Sequence, residues 1–344
     1  MIGFRVDANE TIATGHLMRC LSIAEICRKK GEECLFLLAE AKETNRIEAR
    51  GFSYTILHSD WKNMEGELEY LFDIIQEKKI RKMVVDSYQA TVEYLSRLEN
   101  KVPVLYIDDM EQEVYPVSAV LHYGINSASE SYLKKYKECN ISVLAGMQYI
   151  PLREEFMPEK HKTAERKDRI MITTGGTDPF HIAERFLNYC IDSKESSVLR
   201  NYEFDVIVGA LYDDLTGLER LAEKHREIHL HQNVSNMSDY MYRCRAAVSA
   251  GGTTLYELCA CGIPTICFSF SDNQKPGTVA FGDCGVMAYA GDARETDVVK
   301  GLFLGLEELF TDRELYDRRQ KLMQELVDGK GSERIAFFLS TMEH

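Results

Sequence analysis

The 344-residue chain contains no uninterrupted apolar run of about 18 residues, the minimum for a membrane-spanning helix, so no stable membrane insertion is expected. Its opening residues, Met1-Ile2-Gly3-Phe4-Arg5-Val6-Asp7, lack a secretory leader pattern and read as a strand that starts at once. Basic charge is also in deficit. A net charge of -14 excludes a general nucleic-acid binder, which needs a positive surface, but not a small anionic ligand held at a helix end. Metal-ligand spacing is missing as well. Among ten cysteines the nearest pair, Cys259 and Cys261, is C-x-C, with no histidine or second pair at zinc spacing. Most of the cysteines lie inside apolar patterns and read as free, buried thiols of a reducing cytoplasm. There is no Gly-Lys-Ser/Thr P-loop, and no G-x-G-x-x-G in the first strand-to-helix turn, so neither a Walker site nor a dinucleotide cofactor is expected. The expectation is an enzyme with no cofactor and no metal.

What is present is alternation. Strand-like runs at Ile2–Val6, Cys34–Leu38, Tyr54–Leu57, Met83–Val85, Val104–Ile107 and Ala119–Leu121 are mostly separated by helical patterns such as Glu67–Glu77 and Thr91–Asn100. The scheme repeats at Arg169–Thr173, Phe204–Val208, Ile228–His231, Ala246–Ser249, Thr265–Phe268 and Val286–Tyr289. Strands alternating with helices predict parallel sheets covered on both faces, an α/β chain with two Rossmann-like domains. Between the halves, residues 158–168 hold seven charged side chains out of eleven and show no apolar period. The reading is therefore a domain over 1–150, a linker over 151–168, and a second domain over 169–344 that ends in helices broken near Gly329–Gly331. Two such domains predict a ligand cleft facing both.

Three stretches carry chemistry. Gly15-His16-Leu17-Met18-Arg19 opens the first amphipathic helix. A helix N-terminus attracts anions, and an imidazole there can exchange protons near neutral pH. The plain alternative for His16 is a capping or core histidine. Gly175-Gly176-Thr177-Asp178 follows a strand, where a tight turn is the competing account. Ser249-Ala250-Gly251-Gly252-Thr253-Thr254-Leu255-Tyr256-Glu257 is strand, glycine pair, hydroxyl pair and helix, the makings of a diphosphate cradle. Glu257 can accept from a ribose diol or close a capping box with Thr254. Asp272-Asn273-Gln274 sits at the same sheet end, with amides suited to sugar hydroxyls or an acetamido group; helix capping is the alternative.

Taken in order, Arg5-Val6-Asp7, Thr14–Leu21, Val85-Asp86-Ser87-Tyr88, Ile107-Asp108-Asp109, Tyr149–Phe156, Gly175–Pro179, Gly251–Glu257 and Asn273-Gln274 give the chain a family likeness. It resembles the UDP-2,4-diacetamido-2,4,6-trideoxy-β-L-altropyranose hydrolases of bacterial pseudaminic acid synthesis, whose architecture is similar to the GT-B peptidoglycan N-acetylglucosaminyltransferase. The resemblance implies a GT-B-like fold and cleavage of a UDP-sugar to UDP and free sugar, with a product used in surface polysaccharide or flagellin glycosylation. It assigns catalysis to His16 and nucleotide binding to Gly252, Thr253, Thr254 and Glu257. The family shows glycine two positions before Gly15, where this chain has Ala13, and the usual Arg-Ala-Asp-Ser is replaced here by Arg5-Val6-Asp7-Ala8.

The resulting expectation is concrete. His16 is the base, with Asp7 orienting it or the sugar, or simply capping its loop. Gly15, Gly175, Gly176, Gly251, Gly252, Thr253, Thr254 and Glu257 hold the nucleotide, with uracil near the 231–237 turn. Arg19, Tyr88, Asn273 and Gln274 contact the sugar. Water attacks C1 with inversion. The rival readings are a glycosyltransferase of the same fold, and a nucleotide-sugar binder without catalysis.

Overall fold

The computed structural model describes residues 1–9, 12, 14–125, 130–161, 165–193, 198–209 and 211–342. Ala13 therefore lies outside the described residues. The chain divides into two compact units: Met1–Glu154 joined by the segment from Lys330 onward, and Glu155–Gly329.

The first unit runs β1 (Ile2–Val6), α1 (Gly15–Lys29), β2 (Cys34–Leu38), α2 (Thr44–Glu48), β3 (Ser53–Ile56), α3 (Leu68–Lys78), β4 (Lys82–Asp86), α4 (Val92–Glu99), β5 (Val104–Ile107), β6 (Ala119–His122), α5 (Glu130–Lys135) and β7 (Ser142–Ala145). Its sheet is ordered β3-β2-β1-β4-β5-β6-β7, and every adjacent pair is parallel. Strands β1, β5 and β6 are buried along their whole length, as parallel strands covered on both faces must be. The order reverses between β1 and β4. Strand β7 was not anticipated, although Ile141-Ser142-Val143-Leu144 carries a short β-branched and apolar run.

The second unit runs β8 (Arg169–Thr173), α6 (Ile182–Asp192), β9 (Glu203–Val208), α7 (Thr216–Lys224), β10 (Ile228–Gln232), α8 (Met237–Arg243), β11 (Ala246–Ala250), α9 (Thr254–Cys261), β12 (Thr265–Ser269), α10 (Lys275–Asp283), β13 (Ala288–Asp292), α11 (Val298–Thr311) and α12 (Arg313–Leu326). Its sheet is ordered β10-β9-β8-β11-β12-β13, again parallel, and reverses between β8 and β11.

Two expectations need correction. The sequence reading gives residues 169–344 to the second domain, but the last helix, α13 (Gly331–Thr341), belongs to the first unit and packs on α1. Gly331 lies so close to Ile150 that an added Cβ would sit 2.0 Å from its carbonyl oxygen. Ser332 Oγ donates to the Leu152 carbonyl at 3.0 Å. Apolar periodicity marks α13 as a helix with a face to bury, but it cannot say which sheet receives that face. The charged linker is likewise partly docked. Arg166 donates to the carbonyls of Cys244, Cys261 and Gly262, so part of its charge satisfies helix-end and loop acceptors of the second unit.

All ten cysteines are free. No described helix is long and apolar enough to cross a membrane.

Helix α12 contains one misfit. Leu315, Arg319 and Met323 form its buried stripe at four-residue spacing. Arg319 Nε and Nη1 are buried without a hydrogen-bond partner among the described residues, and burial pulls the guanidinium below its usual range. The attraction of Glu308 does not offset this burial, and replacing such a charge by an apolar side chain of similar length removes a desolvation penalty. Arg319→Met should raise stability by about 1–4 kcal/mol, read as a higher urea midpoint at unchanged slope. A lower midpoint would mean that the guanidinium has a partner in solution.

Candidate functional site

In parallel α/β sheets, ligands gather outside the carboxyl ends of the strands where the strand order reverses. The first unit places a charged cluster there. Helix α1 starts directly after the β1 loop and carries His16 and Arg19 on one face, three residues apart. Neighbouring β4 ends in Asp86, β5 leads into Asp108-Asp109, and β6 into Tyr123.

Arg19 joins these elements. Its Nε donates to Asp86 Oδ2 at 2.6 Å. Its Nη2 donates to Asp86 Oδ1 at 2.5 Å and Asp109 Oδ2 at 2.7 Å. Its Nη1 donates to Asp109 Oδ1 at 3.1 Å and the Tyr123 hydroxyl at 2.5 Å. A guanidinium has five N–H donors, and all five are committed here. Arg19, expected as a sugar ligand, thus has no donor left for one; it acts through the two carboxylates it holds.

His16 Nδ1 lies 2.5 Å from Asp86 Oδ1 and 3.0 Å from Arg19 Nη2. Both Nη2 hydrogens already point at carboxylates, so the arginine has none for the ring. Burial alone would push the Asp86 carboxyl up. The Arg19 guanidinium and His16 outweigh it and hold the carboxyl well below the usual carboxylate range. Asp86 is therefore the acceptor, and Nδ1 carries the hydrogen between them. In the neutral ring Nε2 then keeps the lone pair, the tautomer a general base requires. The ring is buried with only 8% exposed, and Nε2 has no partner among the described residues. Tyr88 sits edge-on to His16 at 4.6 Å between ring centroids and donates to Asp109 Oδ2 at 3.3 Å. Burial and Asp109 push its phenol up to about 12, so it stays a neutral donor. It is 54% exposed, which leaves Tyr88 available to a ligand, as its expected sugar role requires.

Asp7 is not part of this cluster. Its Oδ2 accepts from Arg5 Nη1 at 2.6 Å and its Oδ1 from the Ala39 N–H at 2.8 Å. Arg5, fully buried, is also held by Glu67 through two bonds of 2.6 and 2.9 Å. Asp7 closes a buried ion pair and fastens the loop after β2. The carboxylate that orients His16 is Asp86. The available signal was its place: a lone acid ending the apolar run Met83–Val85 on a strand next to β1.

The reversal point of the second unit, after β8 and β11, gathers the expected nucleotide residues. Gly175 and Gly176 leave β8, and the Gly176 carbonyl accepts from Leu211 N–H at 3.0 Å. Gly251 and Gly252 leave β11. Gly252 has φ +143°, where a side chain is strained, and its Cβ position opens onto empty space. Thr253 and Thr254 begin α9, which no side chain caps. The Leu255 N–H donates to the Gly252 carbonyl and the Tyr256 and Glu257 N–H groups to that of Thr253, which leaves the Thr253 and Thr254 N–H groups without a partner among the described residues and able to meet an anion. Glu257 lies in the first turn of α9. Asn273 and Gln274 precede α10, and Gln274 packs on Gly251, where an added Cβ would come within 2.8 Å of Gln274 Cβ. The turn at 233–236 follows the edge strand β10, separated from β11 by β9 and β8. Gly15 opens α1 in the first unit, with nothing within 4 Å of its Cβ position.

No family model matches the chain. It is 23% identical over 367 positions to the spore coat polysaccharide biosynthesis protein SpsG of Bacillus subtilis (strain 168), spanning 99% of this chain and 98% of the relative. Among solved structures it is similar to Acinetobacter baumannii MurG, with TM-score 0.68, 11% identity and 99% of each chain covered. It is similar to a UDP-glucosyltransferase from Polygonum tinctorium, with TM-score 0.69, 12% identity, and 99% of this chain and 98% of that one covered. Anabaena HepE in complex with UDP gives TM-score 0.57, 13% identity and 99% coverage of each. The fold is that of the GT-B glycosyltransferases, two parallel-sheet Rossmann-like units.

Asp86 also fixes a pH dependence. A carboxyl held low in the folded state contributes stability that is full above the unfolded value, near pH 4, and is lost as pH falls toward the folded one. Asp86→Asn strands Arg19 donors and should cost about 3–5 kcal/mol at pH 7. The gap between wild type and variant should shrink as urea melts are taken from about pH 4 downward. A gap that widens on acidification would contradict the ionised Asp86.

Proposed function

We propose that the protein transfers a glycosyl group from a nucleoside diphosphate sugar, UDP-linked, during synthesis of a surface polysaccharide. The carrying observation is the His16–Asp86–Arg19 arrangement, a tautomer-fixed imidazole at the strand-order reversal of a GT-B unit. The relatives support the same class: SpsG is named for polysaccharide biosynthesis, and HepE binds UDP in its crystal.

In this reading the second unit holds the nucleotide. The Thr253 and Thr254 N–H groups and hydroxyls donate to the diphosphate, and Glu257 accepts from the ribose diol. Gly175 and Gly176 give the backbone close approach, and the 233–236 turn lies against the base. The first unit supplies Gly15, at the open start of α1, and the proton acceptor. His16 Nε2 takes the proton of an acceptor hydroxyl as its oxygen attacks C1, and UDP leaves from the opposite face with inversion. Asp86 stabilises the imidazolium that forms. Positioned base help is worth roughly 10²–10⁴ in rate, and a helix end about 0.3–1 kcal/mol for the leaving diphosphate. Tyr88, Asn273 and Gln274 are the sugar contacts. The free cysteines suit a cytoplasmic enzyme that draws on a soluble donor.

A second reading, hydrolysis of a UDP-2,4-diacetamido-2,4,6-trideoxy hexose in pseudaminic acid synthesis, has its own support. The stretches that carry that family likeness, Gly15–Leu21, Val85–Tyr88 and Ile107–Asp109, are the ones that build the cluster. Water then takes the place of the acceptor hydroxyl, and the base is the same.

Phosphorus NMR of UDP release separates the two. With UDP-N-acetylglucosamine or the diacetamido donor alone, a transferase releases little UDP until a glycan acceptor is added; rapid release in water alone decides for the hydrolase. His16→Ala should lose about 10²–10⁴ in turnover while keeping UDP affinity. Full activity in that variant, or equal loss of UDP binding, would remove His16 as the base.

A further inference from the structure

The turn after β12 carries Asn273 and Gln274, and both of its ends are tied to the exit of β13. Asp292, the last residue of β13, is 3% exposed. It accepts from Arg294 Nε at 3.0 Å and Nη2 at 2.7 Å, and from the Arg294 backbone N–H at 3.0 Å. These bonds to Arg294 outweigh burial and hold the Asp292 carboxyl down at about 2, so the pair is ionised at any working pH. Pinned this way, Arg294 aims Nη1 outward at Asp272 Oδ1, 2.7 Å away. Asp272 is 95% exposed in its side chain, so Arg294 rather than packing anchors it. At the other end, Lys275 Nζ lies 2.6 Å from Glu295 and 3.9 Å from Asp292.

Asn273 and Gln274 lie between these anchors. Ser271 Oγ donates to Asn273 Oδ1 at 2.6 Å, and the Phe270 N–H donates to Gln274 Oε1 at 3.0 Å. The carbonyl ends of both amides are thus engaged within the turn, and their NH₂ groups are the ends left for a ligand. Gln274 packs on Gly251, which places its amide beside the Gly251–Thr254 loop. The surrounding charge does not suit a phosphate. Two cations, Lys275 and Arg294, face three carboxylates, Asp272, Asp292 and Glu295. Neutral amide donors in an acid-rich rim suit hydroxyl or acetamido oxygens.

We infer that Arg294 is a positioning residue for glycosyl recognition: the Asp292–Arg294–Asp272 relay holds the Asn273 and Gln274 amides beside the Gly251–Thr254 loop, and so sets which sugar is accepted without contributing to nucleotide affinity. This rests on the proposed use of a UDP-sugar.

The test is calorimetric titration of the whole protein with UDP, UDP-glucose and UDP-N-acetylglucosamine, in wild type, Arg294→Ala and Asp272→Asn. Asp272 is a surface residue, so its variant keeps the test open if Arg294→Ala folds poorly. UDP affinity should stay within about twofold in both variants, because none of Asp272, Asp292 and Arg294 is among the residues that hold the nucleotide under the proposed function. Preference among the UDP-sugars should fall by about tenfold or more, as when a placed polar contact is lost. The double variant should lose no more than the worse single one. Retained preference in Arg294→Ala, parallel loss of UDP and UDP-sugar affinity, or a wild type that binds UDP yet ignores the sugar, overturns the relay. A wild type that binds no UDP overturns the proposed function itself, and the relay with it.

Discussion

One carboxylate organises the first unit. Asp86 is buried, and a buried carboxylate survives only if its charge is met. Arg19 meets it with two N–H bonds, and the same guanidinium spends its other donors on Asp109 and Tyr123. With the arginine saturated, the short contact between Asp86 and His16 Nδ1 must carry the ring hydrogen. The tautomer of His16 is therefore a consequence of how Arg19 distributes its hydrogens. Side chains of α1, the end of β4 and the segments following β5 and β6 are locked by one cation, which makes the cluster a stability element.

The sheet supplies the rest. Parallel strands point their carboxyl ends the same way, and each loop emerges beside its neighbour's. A reversal of strand order leaves two adjacent loops diverging, with room for a ligand. Both units reverse once, at β1/β4 and at β8/β11, and Gly15–Arg19, Asp86–Tyr88, Gly175–Asp178 and Gly251–Glu257 lie at or after the ends of those four strands. The first unit offers an imidazole and carboxylates; the second offers glycines, hydroxyls and an uncapped helix start. Under the proposed reading this difference divides the labour: proton transfer on one unit, charge stabilisation of the nucleotide on the other.

Much of this was legible in the residues. Strand-like runs of three to five residues alternating with helical periods identify parallel sheets because both faces of such strands are buried, and the glycine and hydroxyl stretches mark the loops that leave them. Three things were not legible. Asp7 stands nine residues from His16 and Asp86 seventy, yet the pairing of β1 with β4 brings Asp86 to the ring, while Asp7 turns to Arg5 two residues before it. Sequence distance carries no information about which strands become neighbours. The exhaustion of the Arg19 donors depends on a three-dimensional count of acceptors. The expected strand Val286–Tyr289 lies at Ala288–Asp292, because β13 pairs irregularly with β12 and extends to Asp292, which its pairing with Arg294 makes tolerable in a sheet.

The tautomer of His16 is the claim on which the account turns. It is read directly by nitrogen-15 NMR of the imidazole ring, with the signals assigned by their loss in His16→Gln. The neutral ring is expected to carry its hydrogen on Nδ1, in a strong bond to Asp86, with Nε2 bare. A neutral ring protonated on Nε2 would contradict it, and with it the role of His16 as a base.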